Sequence, residues 1–176
     1  MQTKRVVVIG MGFGGIRAAR ALAGSGLDVL LIDRNNYHLF QPLLYQVASA
    51  GLEQESIAYS IRAMTRQWPN VRFHLTEVTG VDFEAREVQT TTGPVGYEYL
   101  IIGAGSSTNF FGLNTVQQHA YDLKELEDAE VLRNQILSCF EQAVIEPDPA
   151  RKRALMTFVI VGGGPTGVEF AGALIK

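Results

Sequence analysis

The sequence of 176 residues predicts an α/β fold built on a parallel sheet, and three observations support this prediction. Two glycine-rich segments, Gly10–Gly15 and Gly162–Gly167, each follow a short apolar run and each open a predicted helix. Continuous apolar runs are typical of parallel strands that are buried on both faces. Between the segments, short runs of β-forming residues separated by turn residues predict a small antiparallel hairpin or meander. The predicted fold is a Rossmann-like domain followed by the first βα unit of a second Rossmann-like domain.

The first glycine-rich segment has the spacing of a dinucleotide-binding turn. It follows Val6–Ile9, a run of residues that suits a buried strand. Gly10 allows a tight turn, Gly12 lets the backbone approach a pyrophosphate, and Gly15 lets the following helix pack closely on the strand. That helix, predicted over residues 14–23, directs its free N–H groups and the positive end of its dipole at the phosphates. The segment therefore predicts a dinucleotide site.

A second predicted strand places a carboxylate where the ribose of a dinucleotide would lie. The strand runs from Asp28 to Ile32 and leads directly into Asp33, at the usual distance of about 20 residues from the glycines. A carboxylate in this position accepts hydrogen bonds from both ribose hydroxyls. Its negative charge also argues against a 2′-phosphate at this first site.

An alternative interpretation of the N-terminal residues is a secretory signal, because Lys4 and Arg5 precede an apolar stretch. The glycines within that stretch disfavour a signal peptide, and so do Arg17 and Arg20, which interrupt its continuation. No apolar run approaches the roughly 18 residues of a membrane span, which predicts a soluble chain.

The composition excludes several function classes. The net charge is −3 and the basic residues are scattered, so no nucleic-acid partner is predicted. Cys139 is the only cysteine, which rules out an intramolecular disulfide and fits a reducing compartment. Its helical spacing from Ile136 favours a core position over a reactive thiol. His38, His74 and His119 lack metal-ligand spacing, so no metal site is predicted, and His38 is interpreted as packed or solvated.

The remaining elements are predicted from hydrophobic periodicity and turn residues. They are the helix Ser56–Gln67, the strand Val71–Leu75, a hairpin of Val78–Phe83 and Glu87–Thr92, the strand Tyr99–Ile102, and the amphipathic helix Asp122–Val144. Pro147 and Pro149 predict a linker, which is followed by the strand Thr157–Val161 and the helix Val168–Lys176. Because one βα pair cannot close a core of its own, we expect the chain to be the N-terminal piece of a longer protein.

This order of elements resembles a superfamily of flavoproteins with two dinucleotide-binding domains, the FAD/NAD(P)-dependent pyridine nucleotide-disulfide oxidoreductases. Within that superfamily, two segments resemble the type II NADH dehydrogenases, which are NADH:quinone oxidoreductases. They are Asp33–Ala48 (DRNNYHLFQPLLYQVA) and Gly162–Ala173 (GGGPTGVEFAGA). The resemblance implies an FAD-binding domain at residues 1–112, a connecting segment at 113–150 and the start of an NAD(H)-binding domain at 151–176.

The resemblance also implies which residues hold FAD. The glycine loop would cradle the pyrophosphate, Asp33 would bind the adenosine ribose, and Arg34 would lie over the adenine. Val78 would contact the adenine through its backbone, and Ala104 and Gly105 would close over the flavin. The implied FAD-binding residues are Gly10, Gly12, Phe13, Gly14, Gly15, Asp33, Arg34, Val78, Ala104 and Gly105.

The second glycine-rich segment is implied to receive NADH. The implied NADH-binding residues are Gly162, Gly164, Pro165, Thr166 and Gly167. Glu169 is implied as a catalytic residue that faces the nicotinamide and the flavin and orients the hydride donor. The alternative for Glu169 is an exposed carboxylate in the first turn of a helix, where the dipole alone favours it.

The implied activity of the longer protein is hydride transfer from NADH to FAD, followed by electron transfer to a quinone. The 176-residue chain alone is expected to be inactive. The resemblance implies a cytoplasmic protein that is peripheral on the inner face of the cell membrane and reaches it through a C-terminal region. A homodimer is a further expectation, through the strand predicted at Thr157–Val161.

Cysteine usage narrows the choice among flavoproteins. Disulfide reductases need a redox cysteine pair shortly after the ribose carboxylate, and Tyr37–Gly51 contains no cysteine. Sulfide:quinone oxidoreductases also need several cysteines. Two alternatives stay open: another NAD(P)H-dependent flavoprotein, such as a ferredoxin reductase or a relative of the sulfide:quinone oxidoreductases, and a non-enzymatic nucleotide-binding fragment.

Overall fold

The computed structural model describes residues 3–175, which divide into two compact units. The first unit contains residues 3–39 and 58–106, and the second unit contains residues 40–57 and 107–175. The strands all lie in the first unit and are β1 (Arg5–Ile9), β2 (Asp28–Asp33), β3 (Tyr37–Leu39), β4 (Ala58–Ser60), β5 (Val71–Leu75), β6 (Val78–Asp82), β7 (Glu87–Thr90), β8 (Val95–Gly96) and β9 (Tyr99–Ile102). The α-helices are α1 (Phe13–Leu22), α2 (Leu44–Ala48), α3 (Ile61–Thr65), α4 (Asn114–His119), α5 (Leu126–Ile145), α6 (Pro149–Leu155) and α7 (Pro165–Leu174).

A parallel sheet with the strand order β5-β2-β1-β9 forms the centre of the first unit. β1 pairs with β2, where Val6 lies opposite Val29, and with β9, where Val6 lies opposite Tyr99. A strand with neighbours on both sides and layers on both faces must be apolar, which explains the composition of β1. Val7 and Val8 are fully buried. The predicted parallel sheet is confirmed.

Different layers cover the two faces of this sheet. One face carries Val8 and Leu31, which pack in a core cluster with Ala19 of α1. The opposite face carries Val7, which packs with Val88 of the antiparallel sheet β6-β7-β8. Complete burial of one such side chain contributes roughly 1.5–3 kcal/mol. Alternate side chains of β1 therefore pack in two hydrophobic cores, one on each face of the sheet. This packing fixes the position of the loop that follows β1.

The antiparallel sheet contains the predicted hairpin, which is confirmed with β8 as an added third strand. Asp82 closes the hairpin turn, because its Oδ1 accepts hydrogen bonds from the N–H groups of Glu84 (3.0 Å) and Ala85 (2.8 Å). Arg86 completes the turn at a φ of +55°. A separate ladder joins β3 and β4, and neither of these short strands is predicted by the sequence pattern.

The helix predicted over Ser56–Gln67 is wrong in its first half. A 3₁₀ turn at Gln54–Ser56 is followed by β4, and only then does α3 begin. Ser60 sets this start, because its hydroxyl accepts the N–H of Ala63 at 3.4 Å in the N-cap position. The pairing of β4 with β3 outweighs the helical periodicity of the preceding residues.

The long helix of the second unit, α5, starts four residues later than the predicted Asp122. A capping box fixes its start at Leu126, because Glu125 accepts from the backbone of Asp128 and the Asp128 carboxylate accepts from the Glu125 N–H at 2.8 Å. Cys139 of this helix is half-buried, and the Gln135 amide lies 3.5 Å from its sulfur. No helix within residues 3–175 is both long and apolar enough to cross a membrane.

The end of the second unit differs from prediction in three places. An unpredicted helix, α6, begins at the last residue of the predicted linker, because Asp148 caps it by accepting the N–H of Ala150 at 2.9 Å and Pro149 suits its first position. The predicted strand Thr157–Val161 forms no ladder within the described part of the chain, where no neighbouring strand is available to it. The last predicted helix begins earlier, at Pro165, and Lys176 lies outside the described residues.

Candidate dinucleotide-binding sites

Gly10 makes the turn that follows β1. Its N–H donates to the carbonyl of Ile32 of β2 at 2.8 Å, and its φ is +87°. A β-carbon on Gly10 would lie 2.3 Å from the carbonyl oxygen of Gly103. An L side chain is therefore excluded here both by backbone conformation and by lack of space.

Gly15 allows α1 to approach this turn. A β-carbon on Gly15 would lie 1.7 Å from the carbonyl oxygen of Gly10, which no side chain can tolerate. Gly103, after β9, completes the contact, because its own β-carbon would lie 3.2 Å from the Ile9 oxygen and 3.4 Å from the Gly15 nitrogen. Gly103 is not among the site residues predicted from the sequence, although its place directly after a buried strand was a usable signal.

Gly12 and Gly14 are different, because their surroundings are open. A β-carbon on either residue would meet no protein atom within 4 Å, and both residues are exposed. Gly12 is the N-cap of α1 and has no side chain with which to cap the helix. The N-terminal end of α1, with the positive end of the helix dipole, thus borders free space. These residues fit the pyrophosphate of a dinucleotide.

Asp33 lies at the carboxyl end of β2 and binds the glycine loop directly. Its Oδ2 accepts the N–H of Met11 at 2.5 Å, and its Oδ1 accepts the N–H of Asn35 at 2.8 Å. An ionised carboxylate offers about four acceptor positions, so two remain for ribose hydroxyls. The role of Asp33 in holding the loop was not predicted from the sequence. Arg34, beside it, is exposed.

His38 also holds this loop, at the carbonyl of Met11. Its imidazole is buried, with 6% exposure, and its Nδ1 lies 2.7 Å from the carbonyl oxygen of Met11. Its ring also packs edge-to-face against Phe13, with ring centroids 5.3 Å apart. The packed alternative for His38 is therefore the one observed. No local sequence signal links His38 to Met11, because the two residues are 27 positions apart in the chain.

The other implied FAD-binding residues lie at the same end of the sheet. The N–H of Thr76 donates to the Asp33 carbonyl at 3.0 Å, which places the start of β6, at Val78, beside the end of β2. Ala104 and Gly105 follow β9 and are exposed. The α-carbon of Ala104 would lie 3.2 Å from a β-carbon on Gly10, so this strand end also borders the loop.

The second glycine-rich segment repeats the geometry of the first. Gly162 has a φ of +113°, and a β-carbon on Gly167 would lie 2.5 Å from the Gly162 carbonyl oxygen. A β-carbon on Gly164, the N-cap of α7, would meet nothing within 4 Å. Pro165 and Thr166 occupy the first two positions of α7 and are exposed. The second segment therefore also presents an open helix N-terminus, within the second unit.

Glu169 is exposed and is the fifth residue of α7. The alternative that places it in the first turn of a helix is wrong, because α7 starts at Pro165 and its first turn contains no acidic residue. A favourable interaction with the helix dipole is confined to the first turn and so does not account for a carboxylate at this position.

An ionic cluster ties together the opposite, amino ends of the strands in the first unit. Asp28 accepts from Arg5 Nε at 2.9 Å and from Arg72 Nη2 at 2.8 Å. Partial burial works against ionisation of Asp28, but the hydrogen bonds and charges of the two arginines outweigh it and lower its pKa below the ordinary value. This cluster stabilises the sheet and lies away from the glycine loop.

Comparison with known proteins shows a consistent set of relatives. Residues 4–176 match the protein family described as pyridine nucleotide-disulphide oxidoreductase. The type II NADH:quinone oxidoreductase NdhA of Mycobacterium tuberculosis is 43% identical, over 98% of this chain and 37% of that protein. The external alternative NADH-ubiquinone oxidoreductase of Yarrowia lipolytica mitochondria is 34% identical, over 97% of this chain and 31% of that protein.

A solved structure agrees with these relatives. NDH2 from Plasmodium falciparum in complex with NADH superposes with a TM-score of 0.88 and is 30% identical, over 98% of this chain and 37% of that chain. This chain therefore spans about a third of the length of the relatives that it matches.

Proposed function

The chain belongs to the pyridine nucleotide-disulphide oxidoreductase family, and we propose that it supplies the FAD-binding part, and begins the NADH-binding part, of an NADH:quinone oxidoreductase. The observation that carries this proposal is the glycine loop of the first unit. Gly10 and Gly15 are packed against backbone atoms, whereas Gly12 between them borders open space at a helix N-terminus. Gly12 thus leaves room at that helix N-terminus for the pyrophosphate of a dinucleotide.

In this proposal the residues of the first unit bind and orient FAD. The amides of Gly12 and the first turn of α1 hold the pyrophosphate, and Asp33 accepts the ribose hydroxyls with its remaining lone pairs. Arg34 and the backbone of Val78 border the adenine, and the Ala104–Gly105 segment borders the flavin end. When bound, FAD supplies the ring that accepts a hydride and releases electrons to an acceptor.

The second glycine segment serves NADH in the same way. The open N-terminus of α7, at Gly164, Pro165 and Thr166, receives the pyrophosphate of the nicotinamide dinucleotide, and the close contact of Gly167 with Gly162 keeps the turn compact. We assign to Glu169 the orientation of the hydride donor. Its exposed position on α7 leaves its carboxylate accessible to a bound dinucleotide.

We also propose the setting in which this activity takes place. Quinone is the electron acceptor, the protein works peripherally at the inner face of the cell membrane, and a homodimer is formed. The absence of cysteine from residues 37–51 supports a quinone over a disulfide as acceptor. We divide the chain into an FAD-binding domain at residues 1–112, a connecting segment at 113–150 and the start of an NADH-binding domain at 151–176.

The test is a reduction experiment on the complete gene product. The protein is loaded with FAD and mixed with NADH without oxygen, and the flavin absorption band is followed before and after addition of a water-soluble quinone. We expect bleaching by NADH and recovery with quinone. Bleaching with recovery only by a ferredoxin would point to a ferredoxin reductase, and FAD binding without bleaching would point to a nucleotide-binding protein. Either result would overturn the proposal.

A further inference from the structure

Met11, in the loop between β1 and α1, is held at both of its backbone polar groups by side chains. Its N–H donates to Asp33 Oδ2 at 2.5 Å, and its carbonyl oxygen lies 2.7 Å from His38 Nδ1. Its side chain is 1% exposed and packs in the core cluster of the first unit. The residue before Gly12 is therefore fixed on three sides.

The contact with His38 defines the state of the imidazole. A backbone carbonyl can only accept a hydrogen bond, so Nδ1 of His38 must carry the hydrogen. The ring has little freedom to turn, because it is buried and packs edge-to-face on Phe13. Its backbone is held in β3, where His38 lies opposite Tyr59 of β4. His38 thus presents a fixed donor to the loop.

The peptide bond between Met11 and Gly12 carries this constraint to the proposed FAD site. A peptide unit is planar and, in this chain, trans, so the Met11 carbonyl and the Gly12 N–H point in opposite directions. A hydrogen bond that fixes the carbonyl on His38 therefore also fixes the direction of the Gly12 amide. That amide belongs to the residue whose α-carbon borders open space at the N-terminus of α1.

We propose that His38 is a positioning residue for the dinucleotide: by donating from Nδ1 to the Met11 carbonyl, it aims the Gly12 amide at the pyrophosphate. This inference rests on the proposed function. Asp33 fixes the peptide unit between Gly10 and Met11 in the same way. It accepts the Met11 N–H, while the Gly10 carbonyl lies against Gly15. The side chains of Asp33 and His38 thus set two successive peptide planes before any ligand binds. Preorganisation of this kind lowers the ordering cost of binding.

A pair of nearly isosteric substitutions tests the proposal. His38→Asn keeps an N–H donor on the atom attached to Cγ, where Nδ1 stands in histidine, whereas His38→Leu has the same branching and no donor. We expect the dissociation constant of FAD to rise about tenfold in the leucine variant of the complete gene product, which corresponds to about 1.4 kcal/mol. The asparagine variant is expected to stay within about threefold of wild type.

Several outcomes distinguish a positioning role of His38 from a role in packing alone. If His38 only filled space, both variants would lose affinity equally, and the asparagine variant would give no rescue. Equal FAD affinity of the leucine variant and wild type would also overturn the inference. If the leucine variant fails to fold, His38→Gln takes its place, because its amide lies one bond further out and is expected to weaken FAD binding where asparagine does not.

A second measurement addresses the tautomer in wild-type protein. A long-range ¹H–¹⁵N correlation spectrum is expected to show His38 protonated on Nδ1, and protonation on Nε2 alone would contradict the inference. Failure of the proposed function has a different signature, because wild-type protein would then not bind FAD at all. Binding by wild type with no difference between the two His38 variants would refute only the positioning role.

Discussion

The α-carbon of Gly15 lies against the carbonyl oxygen of Gly10, so closely that a β-carbon there would sit 1.7 Å from that oxygen. The same relationship joins Gly167 to Gly162, at 2.5 Å. Neither Gly15 nor Gly167 has a positive φ, so close packing of helix on turn, and not backbone conformation, requires glycine at these two positions. Two distant parts of the chain therefore build one kind of turn.

The first prediction concerns this packing. Gly15→Ala is expected to lower the free energy of unfolding by about 3 kcal/mol, because the new methyl group overlaps backbone that cannot move away. Gly14→Ala is the control, since it lies in the same helix turn and its β-carbon meets nothing within 4 Å. Urea denaturation of both variants provides the measurement. Equal stability of the two variants would contradict the close contact.

The second prediction concerns the open space beside Gly12. Gly12→Val is expected to leave the fold intact and to weaken FAD binding at least about a hundredfold, because the side chain would occupy the place of the pyrophosphate. Gly80→Val, on β6, also projects into open space and should not affect FAD. Titration of both variants with FAD decides the matter. If the Gly12 variant binds FAD as tightly as the Gly80 variant, the loop is misassigned.

The third prediction separates the two roles of Asp33. Asp33→Ala leaves the N–H groups of Met11 and Asn35 without their acceptor, so we expect a loss of about 1–3 kcal/mol in unfolding free energy together with weaker FAD binding. Asp82→Ala provides a matched control, because Asp82 also accepts two backbone N–H groups, in the β6–β7 turn. It should lower stability alone. Thermal unfolding and FAD titration distinguish these effects, and unchanged FAD affinity in the Asp33 variant would disprove the ribose role.

The fourth prediction concerns the pH dependence of stability from Asp28. Its folded-state pKa is lowered, so the stabilisation is present above the ordinary value of 3.8 and is lost as the pH falls through the folded-state pKa. At pH 7, Asp28→Asn should cost about 1 kcal/mol, since Arg5 and Arg72 are both substantially exposed. Glu84→Gln controls for the loss of one negative charge at an exposed position.

Urea denaturation of the Asp28 variant and wild type from pH 7 to below pH 3.8 checks this prediction. The difference between the two proteins is expected to shrink as the pH falls below that value. A difference that stays constant over the whole range would show that the carboxylate charge does not contribute, and that only the shape of the side chain matters.

The elements that local sequence predicted well are those in which the pattern of apolar and turn residues directly reflects how the element packs. β1 is buried on both faces, so its continuous apolar run directly indicates its central place in the sheet. The glycine loop was also recognisable, because the contact that requires glycine at position 15 is with Gly10, five residues earlier, although Gly10 itself meets the distant Gly103. The hairpin between β6 and β7 was signalled by its turn, which Asp82 closes locally.

Among the elements that were missed, β3 and β4 depend on contacts between distant residues, whereas α6 is capped locally by Asp148. β3 and β4 are each three residues long and are stabilised by each other, so neither shows a period of its own. His38 of β3 contacts Met11, which lies 27 positions earlier in the chain, so no local pattern predicts this contact. Thr157–Val161 has a strong strand pattern, but these residues form no ladder within residues 3–175. A segment with a strand-like sequence pattern forms a strand only where a neighbouring strand can pair with it.

The most direct test of the central claim is a crystal structure of the complete gene product with FAD bound. We expect the pyrophosphate to contact the Gly12 amide at the N-terminus of α1, and the adenosine ribose hydroxyls to contact Asp33. The Met11 carbonyl should remain on His38 Nδ1. A flavin bound elsewhere, or a pyrophosphate with no contact to the Gly10–Gly15 loop, would contradict the account.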